Sequence, residues 1–344
     1  MKYADFFENK VVLVTGGVGS IGSEIVKKIV KLSPKAVIVY DNNETGLFDL
    51  QQELKSDRVK LIVGDIRDRD RLVTAFTGVD IVFHAAALKH VPLCEYNPYE
   101  AVKTNIVGTQ NVLDAAILDK VSKVIIISTD KAVNPINTMG ASKYLAERLA
   151  IAANNNPQNN CTVFSVVRFG NVLNSRGSII PIFMNQLQNN LPLTITDEKM
   201  TRFVMTIPEA AELVIHACKI ATGKEIYILK MPALKIIDLA NVMLDKLAPK
   251  YSYDREKNPI QNIGIRIGEK LYEELLTLQE SAFAFEDDDM FIVYPPDVVA
   301  DDALLNRKLP NGFTKCKISD YSSKNAVQLS LGEIGEYIEK VFRE

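Results

Sequence analysis

A glycine-rich turn near the amino terminus constrains the fold of this chain more than any other feature. The apolar run at 11–15 leads into T-G-G-V-G-S-I-G at 15–22, which opens a helical pattern over 21–32. Glycines in this pattern permit positive φ and let the backbone approach a pyrophosphate, which the free N–H groups of the helix then bind. A tight turn without a ligand is the alternative. The residues predicted to hold a dinucleotide are Gly16, Gly19, Ser20, Ile21 and Gly22.

Short apolar runs alternate with helical patterns through the first half of the chain. The runs are continuously apolar, as expected of strands that are covered on both faces of a parallel sheet. They lie at 11–15, 36–40, 60–63, 81–85, 123–128 and 163–168, and the helical patterns between them include 21–32, 99–118 and 140–153. This order predicts an α/β fold, a Rossmann-like doubly wound parallel sheet whose strands end at one ligand-binding edge.

The pattern loosens after about residue 171, where proline-bearing loops begin. A further strand at 225–229, between helical patterns at 207–221 and 236–247, is expected to return to the sheet. We therefore predict a dinucleotide-binding domain and a smaller C-terminal α/β substrate lobe. The first comprises 1–172 with 203–230 returning to it, and the second comprises 173–202 and 231–344.

Composition excludes several classes of partner. The formal net charge of −3 gives no basic surface for nucleic acid or for an anionic membrane. No apolar run reaches the ~18–20 residues that span a bilayer, so a cytoplasmic location is expected. The four cysteines are far apart and are predicted to be free and mostly buried, and the three histidines lack metal-ligand spacing.

Residues after the second, third and fourth strands complete the predicted cofactor site. A carboxylate at Asp41 can accept hydrogen bonds from ribose hydroxyls and would repel a 2′-phosphate, which favours NAD over NADP. Capping of the next helix is the alternative for Asp41. Asp65 and Ile66 are placed to contact the adenine, and Ala85 and Ala86 give small side chains where the cofactor would pass.

The most informative stretch is S-T-D-K-A-V-N-P at 128–135, followed by M-G-A-S-K at 139–143. Together with the glycine motif it resembles the extended short-chain dehydrogenase/reductase superfamily. Members have a Ser or Thr after the fifth strand and Tyr-x-x-x-Lys on the next helix. Here the lysine is Lys143, whereas Met139 occupies the tyrosine position.

This departure narrows the resemblance to the UDP-N-acetylglucosamine 4,6-dehydratases of the polysaccharide-biosynthesis type, some branches of which carry methionine at that place. The resemblance covers roughly residues 8–280, and the short length is similar to that of the small soluble enzymes that also invert carbon 5. It implies a tightly bound, recycled NAD(P), UDP-N-acetylglucosamine as substrate and a 4-keto-6-deoxy product for surface glycans. A homo-oligomer, dimer or hexamer, is expected. Further shared segments lie at 84–92, 95–98, 103–105, 168–172, 175–178, 194–197, 200–203 and 266–270.

The resemblance also implies catalytic roles. Lys131 would take the C5 proton and Asp130 would protonate the C6 hydroxyl; a partly dry cleft would lower the pKa of the lysine and raise that of the carboxylate. An ion pair that caps the strand is the alternative. Thr129 is expected to bind the C4 hydroxyl, and Lys143 to accept its proton and hold the nicotinamide ribose. Met139 has no proton to exchange, and packing over the sugar or nicotinamide face is its expected contribution.

The diphosphate of the substrate requires cations, since guanidinium groups match phosphate bidentately. For each of the predicted contacts a structural role is the alternative. Those contacts are Arg202 and Arg266 with the diphosphate, Lys89 and Asn105 with the cofactor, Lys89 also with the sugar or a phosphate, Asn171 on the phosphate side, and Glu269 with ribose hydroxyls; no metal ligand is predicted.

Two other functions compete. A UDP-sugar 4-epimerase on the same fold needs only C4 oxidation, which would leave Asp130 and Lys131 idle. A non-catalytic dinucleotide sensor would tolerate Met139 but would not need that pair.

Overall fold

The computed structural model describes residues 3–343, so the predicted domain bounds at residues 1 and 344 lie outside it. Its centre is a 10-stranded sheet with the order β16-β14-β15-β10-β6-β5-β4-β1-β2-β3. The strands that follow β15 in this order, from β10 across to β3, all run parallel. The predicted α/β class and Rossmann-like sheet are therefore confirmed. The strands are β1 Val11–Thr15, β2 Ala36–Asp41, β3 Val59–Val63, β4 Ile81–His84, β5 Lys123–Thr129, β6 Val163–Phe169, β7 Asn171–Val172, β8 Thr194–Ile195, β9 Thr201–Met205, β10 Ile226–Leu229, β11 Ala233–Lys235, β12 Gln261–Asn262, β13 Glu274–Leu276, β14 Ala284–Glu286, β15 Met290–Val293, β16 Thr314–Lys315 and β17 Tyr321–Ser322.

Helices cover both faces of the sheet and fill the C-terminal part. Single turns of 3₁₀-helix occur at Asp130–Ala132 and Ala248–Tyr251. The α-helices are α1 Ala4–Phe7, α2 Ser20–Val30, α3 Glu44–Leu54, α4 Arg69–Phe76, α5 Val91–Tyr96, α6 Pro98–Ala101, α7 Thr109–Leu118, α8 Thr138–Ala153, α9 Ile179–Gln188, α10 Ile207–Ile220, α11 Ile236–Leu247, α12 Leu278–Ser281, α13 Pro296–Val299, α14 Asp302–Lys308 and α15 Leu331–Arg343.

The predicted return of the chain to the sheet is confirmed, because β10 pairs in parallel with β6. The sheet nevertheless extends further than predicted. The antiparallel strands β15, β14 and β16 continue it beyond β10 and cover an edge whose N–H and C=O groups would otherwise be unpaired. The C-terminal segment thus contributes to the main sheet as well as to the second lobe.

The helix predicted over 99–118 is interrupted. Between α6 and α7 the chain forms a π-helix at Val102–Gly108. Gly108 permits close packing there, because a Cβ on it would lie 2.7 Å from the Cδ1 of Ile66. A π-helical turn places side chains differently from an α-helix and often marks a functional site.

Two large apolar cores contain most of the buried apolar side chains among the described residues. The larger surrounds the sheet and includes 275–276 and 284–294 from the C-terminal segment. The smaller lies between α9, α11 and α15, with Phe183, Met243 and Ile338 at its centre. The domain bounds stay a prediction, but 275–294 pack with the first core.

Two further predictions can be checked within residues 3–343. All four cysteines are free, but only Cys94 and Cys218 are buried, so the expectation that most are buried was too broad. None of the described helices combines the length and apolarity that crossing a membrane requires.

Candidate active site and dinucleotide cavity

An open cavity of about 580 Å³ lies at the carboxyl ends of β1, β2, β3 and β4. Most of the predicted cofactor residues that follow these strands line it. The lining residues from that prediction are Gly16, Gly19, Asp41, Asp65, Ile66, Ala85 and Ala86. The alternation of strands and helices in the sequence thus predicted residues of four separate segments that line one contiguous cavity.

The glycine turn is shaped so that side chains would not fit. Gly16 has a φ of +64°, and a Cβ on it would lie 2.5 Å from the backbone nitrogen of Ala86. A Cβ on Gly22 would lie 2.2 Å from the carbonyl oxygen of Gly16. The turn ends in α2, which begins at Ser20 and directs its free N–H groups toward the cavity edge. This cradle fits the pyrophosphate of a dinucleotide.

Carboxylates dominate the end of the cavity formed by β2 and β3. Asp41 accepts the N–H of Val18 at 3.1 Å, which ties it to the glycine turn. Asp65 is paired with Arg67 (Nη2–Oδ2 2.6 Å), and Arg67 also pairs with Glu100 at 2.8 Å. The hydrogen bond from Arg67 holds the pKa of the Asp65 carboxyl below its ordinary value. Arg67 was not predicted from the sequence, because it is not adjacent to Asp41 in the chain.

Arg176, in the loop between β7 and α9, contacts the glycine turn. The backbone N–H of Arg176 donates to the Oγ of Ser20 at 3.1 Å, and its guanidinium donates to the carbonyl of Val18. Lys89, predicted to reach the cofactor or sugar, donates instead to the carbonyl of Arg176 at 2.6 Å. Arg176 lines the cavity and forms a strap across its glycine-rich wall.

A cluster of charged side chains lies at the end of β5. Asp130 is fully buried, and its Oδ1 accepts from the Nζ of Lys131 and from the Oγ1 of Thr129, both at 2.9 Å. Lys131 also donates to the Oδ1 of Asn171 at 3.2 Å and lies 3.6 Å from the Oε1 of Glu273. The structure therefore brings together four of the predicted site residues and adds Glu273, which the sequence argument did not identify.

The pKa of Lys131 lies above its ordinary value, contrary to the expectation from the sequence. Burial alone would lower it, but the negative charges of Asp130 and Glu273 outweigh burial and the opposing charge of Arg202. At rest the amine is consequently an ammonium paired with Asp130.

The pKa of Lys143, in contrast to that of Lys131, lies below its ordinary value. Burial lowers its pKa to about 8, and the charge of Glu147 opposes that shift only in part. Its Nζ donates to the carbonyl of Ile127 at 2.6 Å, at the end of β5. A lysine of this kind can accept a proton near neutral pH.

The start of α8 packs against the backbone of the charged cluster. A Cβ on Gly140 would lie 2.2 Å from the carbonyl oxygen of Lys131, so glycine is what allows this approach. Met139, in the tyrosine position, is buried in a small apolar cluster with Cys94 and Ala101. The structure thus gives Met139 a packing role.

A buried ion pair behind this helix was also missed. The guanidinium of Arg168 bonds both oxygens of Glu147 (3.1 and 2.7 Å) and both oxygens of Glu280 (3.0 and 3.1 Å). Glu147 also accepts from the Oγ of Ser128 at 2.6 Å. These contacts join β6, α8 and α12 and fix the helix that carries Lys143. An arginine inside a continuous apolar strand is the sequence signal that could have revealed it.

Several predicted contacts have other partners in the structure. Arg202 is buried and donates to the carbonyls of Thr201 at 2.8 Å and of Lys270 at 2.8 Å. Arg266 is exposed, and its backbone N–H donates to Glu269 at 3.2 Å. Arg202 also lies 3.7 Å from the Oε1 of Glu269, so Glu269 contacts both arginines, and their contact with a diphosphate stays a prediction.

Asn105 supports a loop next to the cavity. Its amide accepts the N–H of Leu88 at 2.8 Å and donates to the carbonyl of Leu88 and to the Oγ of Ser142, both at 2.9 Å. Asn105 thus holds Leu88 in place, and its contact with a cofactor stays a prediction.

Comparison with known proteins places the chain among enzymes of glycan synthesis. Residues 12–295 match the family described as polysaccharide biosynthesis protein. A protein of Methanocaldococcus jannaschii named uncharacterized membrane protein MJ1061 is 52% identical over 341 residues, 99% of this chain and 97% of that protein. A UDP-glucose 4-epimerase of Rickettsia bellii is 41% identical over 337 residues, 96% of each chain.

Solved structures agree with the fold. The X-ray structure of Pen from Bacillus thuringiensis is 43% identical, covers 97% of this chain and 98% of that one, and superimposes with a TM-score of 0.89. The dTDP-glucose 4,6-dehydratase DesIV from Streptomyces venezuelae, with NAD and TYD bound, is 24% identical with a TM-score of 0.68 over 76% of this chain and 86% of that one. At that identity DesIV supports the fold alone.

Proposed function

Since this chain belongs to the polysaccharide biosynthesis protein family, we propose that it is an NAD(P)-dependent 4,6-dehydratase of UDP-N-acetylglucosamine that also inverts carbon 5. The product would be a UDP-4-keto-6-deoxy-N-acetylhexosamine used in surface-glycan synthesis. The observation that carries the proposal is the ammonium–carboxylate pair of Lys131 and Asp130, 2.9 Å apart at the ligand-binding edge of the sheet.

The reaction needs one base at C5 and one acid at C6, and this pair supplies both by moving one proton. Transfer from the Nζ of Lys131 to the Oδ1 of Asp130 gives a neutral amine and a carboxylic acid without changing the net charge of the site. The amine then takes the C5 proton, and the acid protonates the departing C6 hydroxyl, which leaves as water. The ammonium and the carboxylate are restored. When the hydride is returned to C6, C5 would take a new proton from water on the opposite face, which inverts that carbon; the proton lost from the C4 hydroxyl goes to the solvent in exchange.

Other residues of the chain prepare that step. A bound NAD(P) would accept a hydride at C4 and return it at C6, and the C4 ketone is what makes the C5 proton acidic. Lys143 would accept the C4 hydroxyl proton and hold the nicotinamide ribose; its pKa of about 8 supports that role. Thr129 would bind the C4 hydroxyl through its Oγ1, which already lies next to Asp130.

The charges that line the cavity support NAD as the proposed cofactor. Three carboxylates, Asp41, Asp65 and Glu100, line it together with Arg67 and Arg176. Arg67 is already paired with Asp65 and Glu100, so a 2′-phosphate beside Asp41 would meet excess negative charge. We therefore retain NAD as the proposed cofactor.

A UDP-sugar 4-epimerase is the second candidate, and the Rickettsia bellii relative with that name is the observation in its favour. The Asp130–Lys131 pair argues against it, because an epimerase needs only C4 oxidation and would leave this pair without a task.

Mass spectrometry of the product separates the two candidates. Incubation with UDP-N-acetylglucosamine and NAD should give a nucleotide sugar that is lighter by one water. An isomer of unchanged mass would support the epimerase, and retention of NAD without turnover of any UDP-sugar would support a dinucleotide sensor.

A further inference from the structure

A second carboxylate approaches the Lys131 amine from a distant part of the chain. Glu273 precedes β13, its side chain is only 3% exposed, and its Oε1 lies 3.6 Å from the Nζ of Lys131. The amine consequently has carboxylates of two different segments within 4 Å, Asp130 beside it in sequence and Glu273 from the C-terminal part.

The backbone of Glu273 is fixed, so the position of its carboxyl group is imposed by the fold. Its N–H donates to the Oγ of Ser323 at 3.0 Å, and its carbonyl accepts the N–H of Ser323 at 2.8 Å. The same Oγ is bonded to Thr201 at 2.9 Å. Lys270 donates to the carbonyl of Val133 at 2.7 Å, which ties the segment to the loop after Lys131.

Both carboxylates keep one oxygen without a partner. Among the buried polar atoms of residues 3–343 that lack a hydrogen bond are the Oδ2 of Asp130 and the Oε2 of Glu273. An unpaired buried carboxylate oxygen costs stability, so its retention points to a task other than folding.

We propose that Glu273 is a positioning residue of this site: its carboxyl group holds the Lys131 amine beside Asp130, and its charge sets how readily that amine releases a proton. This inference rests on the proposed dehydratase, in which Lys131 must release a proton before it can take one from C5. Asp130 remains the acid, because of the two carboxylates only that of Asp130 is within hydrogen-bond distance of the Lys131 amine.

The charged groups that face Glu273 come from three elements. They are Lys131 and Asp130 from the turn after β5, Arg202 from β9, and Lys270 from the preceding loop. Burial raises the pKa of Glu273, and the charges of Lys131, Arg202 and Lys270 offset this only in part. As Glu273 takes up a proton, the Lys131 ammonium loses one of its two stabilising charges, which makes proton release easier.

Substitution Glu273→Gln tests the proposal, with Glu274→Gln as the matched control. The carboxylate of Glu274 accepts from Asn134 at 3.0 Å instead of approaching Lys131. The first readout is competitive acetylation of Lys131 with acetic anhydride, measured by mass spectrometry relative to the exposed Lys199. Loss of the Glu273 charge should make Lys131 react about tenfold faster near neutral pH. Glu274→Gln should not change it.

The second readout is the pH profile of water loss. In Glu273→Gln, kcat should fall roughly tenfold to a hundredfold through misplacement of the amine. The acid limb of the profile should move to lower pH, and KM should change little. Glu273→Asp keeps the charge with a shorter reach and should recover part of kcat, and it replaces Glu273→Gln if that variant does not fold.

Unchanged acetylation of Lys131, or a loss of kcat with the acid limb in its original place, would overturn the role of Glu273 and leave it a structural residue. If the wild-type protein removes no water from UDP-N-acetylglucosamine, the dehydratase proposal fails. The acetylation result still decides whether Glu273 sets the proton affinity of Lys131.

Discussion

The dinucleotide cavity and the charged cluster around Lys131 are built in different ways. The cavity is lined mainly by turns that directly follow β1 to β4, and its glycine wall is shaped by backbone and small side chains such as Ala86. The charged cluster joins a turn after β5 to Asn171 and to Glu273, which are far away in sequence. In the proposed enzyme, cofactor binding would thus depend on local backbone shape, whereas proton transfer would depend on charges that tertiary folding brings together.

The largest expected effect falls on the charged cluster alone. Lys131→Ala should lower the rate of water loss by ~10²–10⁴-fold, since a positioned general base typically contributes that much. Binding of NAD should not change, because the cavity does not depend on this side chain. The rate is measured by product mass and NAD binding by calorimetry, with the exposed Lys199→Ala as control. Equal turnover in Lys131→Ala would remove the distinction between the two regions.

The converse experiment damages the cavity. Gly16→Ala places a Cβ 2.5 Å from the Ala86 nitrogen at a φ of +64°. The backbone strain at residue 16 should weaken the binding free energy of NAD by about 1–3 kcal/mol. This corresponds to roughly tenfold to a hundredfold weaker binding. Gly78→Ala is the control, because Gly78 also has positive φ (+73°) but a Cβ there would meet nothing within 4 Å. It should lower thermal stability slightly and leave NAD binding intact. Equal effects of the two substitutions would contradict the pyrophosphate cradle.

The pH dependence of C4 oxidation tests the role of Lys143 as proton acceptor. Burial lowers the pKa of Lys143 to about 8, so the oxidation step should speed up as pH rises through that value. The same shift means that the unfolded chain binds more protons than the folded one above pH 8, so the free energy of unfolding should rise from about pH 8 until the ordinary lysine pKa of about 10.4.

Substitution of Lys143, with a matched control, shows whether the pH dependence is due to Lys143 or to another titrating group. Lys143→Met should abolish the rise of the oxidation rate near pH 8, measured by stopped-flow absorbance of the reduced cofactor. Lys199→Met, at an exposed position, should keep it. A rise that survives in Lys143→Met would assign the proton acceptor elsewhere.

The smallest effect concerns the strap that joins the two regions. Arg176→Ala removes the contact between the guanidinium and the carbonyl of Val18. Dissociation of NAD should become about tenfold faster, the loss expected for one charge-assisted hydrogen bond. Retention of NAD through gel filtration measures it. Arg255→Ala, which breaks an exposed ion pair with Asp245, should not alter retention.

The same contrast explains how much the sequence could predict. The strands and the glycine turn were predictable, because a continuous apolar run and three spaced glycines are local patterns. The pKa of Lys131 was predicted in the wrong direction, because the charges of Asp130 and Glu273 together outweigh burial, and Glu273 comes near Lys131 only through tertiary folding. The antiparallel strands after β10 and the burial of Arg202 against backbone carbonyls depend on packing in the same way.

The central claim is that Lys131 takes a proton from C5 and Asp130 gives one to the C6 hydroxyl. The most direct test is to incubate the protein with UDP-N-acetylglucosamine and NAD in deuterated water and to assign the product by NMR. The account predicts loss of one water, a C6 methyl group, deuterium at C5 and inverted configuration there, and none of these in Lys131→Ala. A product that keeps its C6 hydroxyl and its C5 hydrogen would contradict it.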